Sequence, residues 1–181
     1  QASEQSVGRM TAFHGQMGMF VRALSYMMSH GADGLKQAAE DAVLNANYVL
    51  AGLKDVMTTP FEVPFMHEVV FDNRWLKGTN IETLDVAKAM IDKGFHPMTM
   101  YFPLVVPGAM LVEPTESESL ASLDNFIMAM REIALDVRDG RLVQLKGAPL
   151  EAPMKRLDET AAARKPVLTW RRPEPLATAA E

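Results

Sequence analysis

The sequence contains no cysteine in its 181 residues. Disulfides, thiolate nucleophiles and Cys-ligated zinc are therefore excluded. Long apolar runs are missing too. No stretch approaches the ~18 residues of a membrane-spanning helix. Cations are in the minority, with 18 Lys+Arg against 23 Asp+Glu and a net charge of −5. The broad basic surface that duplex nucleic acid requires cannot be built from that balance. The local exceptions are Arg164–Lys165 and Arg171–Arg172, set among prolines. No G-x-G-x-x-G or Walker loop is present to cradle a phosphate. Residues 1–10 lack the basic-then-apolar pattern of a signal peptide. These absences lead us to expect a cytoplasmic protein with no nucleic-acid partner and no membrane partner. The first residue is Gln1, so a chain that continues upstream, or that has been trimmed, is also expected.

What is present is ordinary globular material, 48% apolar and 23% charged, which argues against a mainly disordered chain. At this length a domain buries roughly two-thirds of its unfolded surface. Met10, Phe13, Met17, Phe20, Leu24 and Met27 step by three and four, one face of a helix, with Gly31 as its stop. Leu35, Ala39, Ala42, Ala46, Val49, Leu53 and Val56 predict a second helix, with Asp33 as N-cap and an end near Thr58. His67–Asp72 and Ala109–Val112 read as strands. Thr79-x-x-Glu82 is a capping-box pattern before a helix with Leu84, Ala87 and Ile91 inside, ended by Gly94. Residues 95–107 hold Pro97, Pro103 and Pro107 and read as extended and irregular. Thr115-x-x-Glu118 is a second box pattern, with Glu116 placed in the first turn. It precedes a long helix on Leu120, Leu123, Ile127, Met130, Ala134 and Val137, ended by Gly140. Beyond Gly147 prolines dominate, and at most a short helix near Asp158–Arg164 is expected. Two strands among helices predict an α+β domain, a small sheet covered by helices.

The residues that could carry chemistry are few. His14, His30, His67 and His96 lack the spacing of a metal motif, so no metal site is expected. Glu113, Glu116 and Glu118 could exchange protons, or could cap and polarise a helix start. The methionine-rich face over 10–28 asks for a neighbouring domain or subunit, because monomers rarely leave such a patch exposed. The residues by themselves reveal no complete active site.

Several segments together resemble a known family. They are G-A-D-G-L-K at 31–36, A-V-L-N-A-N-Y at 42–48, H-E at 67–68 and D-K-G-F-H-P-M-T-M-Y-F-P at 92–103. The most specific is M-L-V-E-P-T-E-S-E at 110–118. In this order they resemble the decarboxylating glycine dehydrogenase of the glycine cleavage system, the P-protein. Ser6–Arg22 and A-A-R-K-P-V-L-T-W at 162–170 look most like subunit 2 of its two-subunit bacterial and archaeal form. The resemblance implies a fold type I, aspartate-aminotransferase-like pyridoxal-phosphate enzyme. It also implies glycine decarboxylation with transfer of the aminomethyl group to the lipoyl arm of the H-protein.

No His-Lys dipeptide of the kind that carries the cofactor lysine occurs here. The chain therefore resembles the C-terminal small domain of such an enzyme. The implied layout is a leading helix over 1–32, the small domain over 33–147 and a proline-rich extended tail over 148–181. By this reading the chain has no catalytic lysine, binds no pyridoxal phosphate by itself and is inactive alone. Its partners would be an upstream large domain, glycine dehydrogenase subunit 1 and the H-protein, with a homodimer of this piece as a further possibility. His67, His96 and Thr99, with Glu113 and Glu116 behind them, are the candidates for the substrate cleft. Met98 and Tyr101 stand where the family more often has Ala or Pro, and Ser. Two alternatives stay open: a stand-alone interaction module of the same fold, and the small domain of another fold type I enzyme such as an aminotransferase.

Overall fold

The structure is a computed structural model, and it describes residues 4–8 and 15–170. Met10, Phe13, His14 and Arg171–Arg172 lie outside the described residues. The two helices expected on either side of Gly31 run on as one kinked rod, α1 (Met17–Leu53). Gly31 supplies the kink at φ 63°, ψ −174°, a conformation open to glycine and strained for other residues. Burial along α1 rises toward its C-terminus. Ala46, Val49 and Leu53 are fully buried, whereas Phe20, Leu24 and Met28 are exposed. The helix stops at Leu53 rather than near Thr58. The Thr58 carbonyl is needed to accept the Asp72 N–H at 3.0 Å, which pulls the chain away from helical geometry.

The sheet has three antiparallel strands in the order β1 (Val69–Phe71), β3 (Met110–Val112), β2 (Thr99–Met100). The strands expected at His67–Asp72 and Ala109–Val112 are found, in shorter form. β2 corrects the irregular reading of residues 95–107. Between Pro97 and Pro103 the chain can still donate to an edge, and Thr99 and Met100 pair with Leu111 and Met110. Val69 opposes Val112 and Phe71 opposes Met110 on the face that meets the helices. Val70 and Leu111 turn to the other face, over Val106, Ala109 and Phe65.

Two helices cover the first face. α2 (Thr83–Asp92) buries Val86, Ala87 and Met90, so its inner face is rotated from the expected Leu84–Ala87–Ile91 line. Its N-cap is Glu82, in a capping box with Asp85, not Thr79 with Glu82. The Thr79 hydroxyl is already committed, donating to the Leu76 carbonyl and accepting from the Ile81 N–H. α3 (Leu120–Arg138) buries Leu123, Ile127, Met130, Ala134 and Val137, as its spacing predicts, and Ile133 besides, while Leu120 is exposed. Arg131 of α3 grips Asp55 with both guanidinium nitrogens and donates to the Gly52 carbonyl, fixing α3 against the end of α1. A short α4 (Leu142–Gly147), which the sequence reading missed, places Leu145 in the core. The short helix expected near Asp158–Arg164 is α5 (Glu159–Arg164), with Asp158 as its N-cap.

Candidate functional site

β3 leaves the sheet at Val112 and runs through Glu113-Pro114-Thr115-Glu116-Ser117-Glu118 before α3 begins. This loop does not start the helix at Thr115. Thr115 sits at φ 44°, in left-handed space, and its hydroxyl pairs with that of Ser117 at 3.0 Å. Ser119 is the N-cap instead, accepting from the Ser122 N–H at 3.1 Å, and Glu118 accepts from the Ser122 hydroxyl at 2.7 Å. Glu116 therefore lies before the helix, not in its first turn. The loop is pinned from α1. Asn45 donates to the Thr115 carbonyl at 2.7 Å, and the Tyr26 hydroxyl donates to Glu116 at 3.0 Å. Tyr26 in turn stacks on His30 with centroids 4.2 Å apart.

These contacts set the electrostatics. A backbone N–H of its own, then the Tyr26 hydroxyl, hold the Glu116 carboxyl below its ordinary range, and the His30 imidazole adds to this. The same hydrogen bond raises the Tyr26 phenol above its ordinary value. A second loop enters from the start of β1, with Asn47 clamping Phe65 by donating to its carbonyl and accepting from its N–H. That clamp sets the exit of the chain toward His67 and Glu68, whose side chains come within 3.5 Å of each other.

Two depressions flank Glu113. The first, about 440 Å3, lies between the 95–99 segment, β3 and the start of α3. His96, Thr99, Glu113, Glu118 and Ser122 give it polar groups, and Phe95, Met98 and Phe126 give it apolar walls. The second, about 430 Å3, lies against the alanine face of α1 and is lined by His67, Glu113, Glu116 and Tyr26. The five residues singled out from the sequence thus divide between two depressions that share Glu113. His67 does not line the depression of His96 and Thr99. Tyr26, Glu118 and Ser122 are polar members that sequence reasoning did not place there. Tyr26 sits four residues before His30, a spacing that brings side chains together on a helix, and that was the available signal. Among the described residues no helix is long and apolar enough to cross a membrane.

The architecture is a small α+β domain, a three-stranded antiparallel sheet backed by α2 and α3 with α1 leading in. It superposes on a crystal structure titled glycine decarboxylase (P-protein) of the glycine cleavage system, in inhibitor-bound form. The TM-score is 0.57 at 21% identity, over 69% of this chain and 28% of that one. Residues 38–152 match the family described as glycine dehydrogenase, C-terminal domain, and the chain belongs to that family. It is 65% identical over 170 residues to a protein of Caulobacter vibrioides named probable glycine dehydrogenase (decarboxylating) subunit 2. That match covers 93% of this chain and 32% of the relative. An Oceanobacillus iheyensis protein of the same name is 46% identical over 166 residues, 92% of this chain and 34% of that one. The chain spans about a third of the length of the curated relatives it matches. The family match sets the aminotransferase reading aside.

Pyridoxal phosphate needs a lysine amine for its aldehyde and cationic or N–H donors for its phosphate. Neither depression is lined by a lysine or an arginine, and both carry carboxylates. The residues of these two depressions do not fit the cofactor.

Proposed function

We propose that this chain is the small domain of a pyridoxal-phosphate-dependent glycine decarboxylase and forms one wall of its substrate cleft. The supporting observation is the loop 113–118. It carries the most family-specific residues of the chain, and it is held rigid by Asn45 and Tyr26 between two open depressions. In this role His96, Thr99 and Glu113 orient substrate groups, and the apolar walls of Phe95 and Phe126 exclude water. His67 and Glu116 brace the other side of Glu113. The lysine that carries the cofactor belongs to a larger domain outside these residues. Residues 1–32 join the two domains, 33–147 form the small domain, and 148–181 are a proline-rich extended tail.

In this reading the working protein joins glycine dehydrogenase subunit 1 and passes an aminomethyl group to the lipoyl H-protein in the bacterial cytoplasm. The chain alone does not release CO2 from glycine. The test is release of labelled CO2 from carboxyl-labelled glycine by the subunit 2 protein that contains this chain, assembled with subunit 1. Glu113→Gln and His96→Ala are expected to lower kcat/KM by about tenfold or more, roughly 1.4 kcal/mol of transition-state stabilisation. Their melting temperature should stay unchanged. Undiminished activity in both variants would remove these residues from the cleft. Decarboxylation that proceeds without this chain would favour the stand-alone interaction module instead.

A further inference from the structure

The β1–β3 register has a consequence for charge. Val69 opposes Val112 at the end of the pairing, and the next residues outward, Glu68 and Glu113, bring their carboxylates close together. Like charges placed directly across an antiparallel pair are destabilising unless something positive intervenes. Among the described residues the ion pairs give Glu68 only the His67 imidazole, and they give Glu113 no lysine or arginine. One ligating atom from each of His67, Glu68 and Glu113 lies within 4.8 Å of the others. The centre of a triangle with 4.8 Å sides is about 2.8 Å from each corner, so side-chain rotations of under roughly 1 Å reach metal–ligand distances of about 2.0–2.2 Å.

We propose that His67, Glu68 and Glu113 form a binding site for one divalent transition-metal ion of the zinc or manganese kind. One imidazole and two carboxylates are a mixed nitrogen–oxygen donor set of the type those ions accept. The site opens into the depression of about 430 Å3 against α1, where Ala38, Ala39 and Ala42 leave room for coordinating waters. Glu116 lies in the same depression, accepting from the Tyr26 hydroxyl, and adds a carboxylate outside the ligand set. Binding removes the repulsion between two carboxylates that strand pairing forces together. It also staples the 67–68 loop to the 113–118 loop. No histidine–carboxylate spacing in the sequence signals this set, because Glu113 reaches it only through strand pairing.

The site shares Glu113 and His67 with the proposed cleft, so its test reads metal binding rather than turnover. The native protein that carries this chain, stripped with chelator, is titrated at pH 7.5 with Zn2+ in a calorimeter and with Co2+ by visible absorption. One equivalent should bind with a dissociation constant below 100 μM. His67→Asn and Glu113→Gln should each weaken that equivalent at least tenfold, while Glu62→Gln, outside the cluster, should leave it unchanged. No saturable equivalent below 1 mM overturns the site. So does equal binding by parent, His67→Asn and Glu113→Gln, each checked for an unchanged melting temperature.

Discussion

Asp85 is the buried carboxylate on which the C-terminal part of the domain is hung. Its side chain is 2% exposed, yet it meets Lys146 at 2.9 Å and Arg156 at 2.8 Å and accepts from the Glu82 N–H at 2.8 Å. Burial pushes its carboxyl up, but the Glu82 N–H, Lys146 and Arg156 outweigh that and hold it below the ordinary carboxylate range. In the unfolded chain Asp85 therefore takes its proton at a higher pH than in the folded one. Its stabilising contribution is complete above the ordinary carboxylate range and disappears as pH falls through the lowered value. Asp85→Asn leaves two cations facing a neutral amide. It should lower unfolding stability by about 2–3 kcal/mol at pH 7, read from the urea midpoint. The difference from the parent should shrink toward pH 3. A variant as stable as the parent at pH 7 would show that the packing of Ala148 and Pro149, not this charge cluster, holds the segment. Asp85 was not singled out from the sequence, since its two partners stand 61 and 71 positions further along the chain.

Among the elements, α1 and α3 meet closely at Gly52. A Cβ there would lie 2.8 Å from Cδ1 and 2.9 Å from Cγ2 of Ile127. Ile127 is nearly buried and cannot swing aside freely. Gly52→Ala should therefore destabilise the protein by about 1–3 kcal/mol despite the better helix propensity of alanine. Thermal melts with and without the compensating change Ile127→Val check this, and Ile127→Val should recover part of the loss. The periodicity of α3 and of the second half of α1 was legible in the sequence because both bury one continuous face. Helix starts were less legible. Two S/T-x-x-E patterns were present, but Thr79 and Thr115 had their hydroxyls committed elsewhere, so capping passed to Glu82 and Ser119. β2 escaped notice because a two-residue edge strand flanked by prolines carries almost no period.

At the scale of the whole molecule the unpartnered surface is the first half of α1. Met17, Phe20, Leu24, Met27 and Met28 are 49–75% exposed along that half. A patch of this kind draws a second surface onto it. Leu24→Glu combined with Met28→Glu should abolish concentration-dependent association of the isolated chain in sedimentation experiments. It should leave the melting temperature within about 2 °C of the parent, because neither side chain reaches the core. Association that persists in this variant would place the contact elsewhere, with the exposed Leu104 and Val105 the next surface to change.

The sequence by itself determined the class of the domain, the long helices, two of the three strands and the family, through ordered local motifs. These are near-neighbour properties: periodicity, turn residues and short runs can be read without knowing what lies across the fold. The tertiary structure alone decided that Glu113 stands between two depressions rather than behind one. It brought Tyr26 to Glu116 across 90 positions, and it set Glu68 against Glu113. Those juxtapositions depend on strand register and on the angle at Gly31, and both are set by how the buried faces pack together.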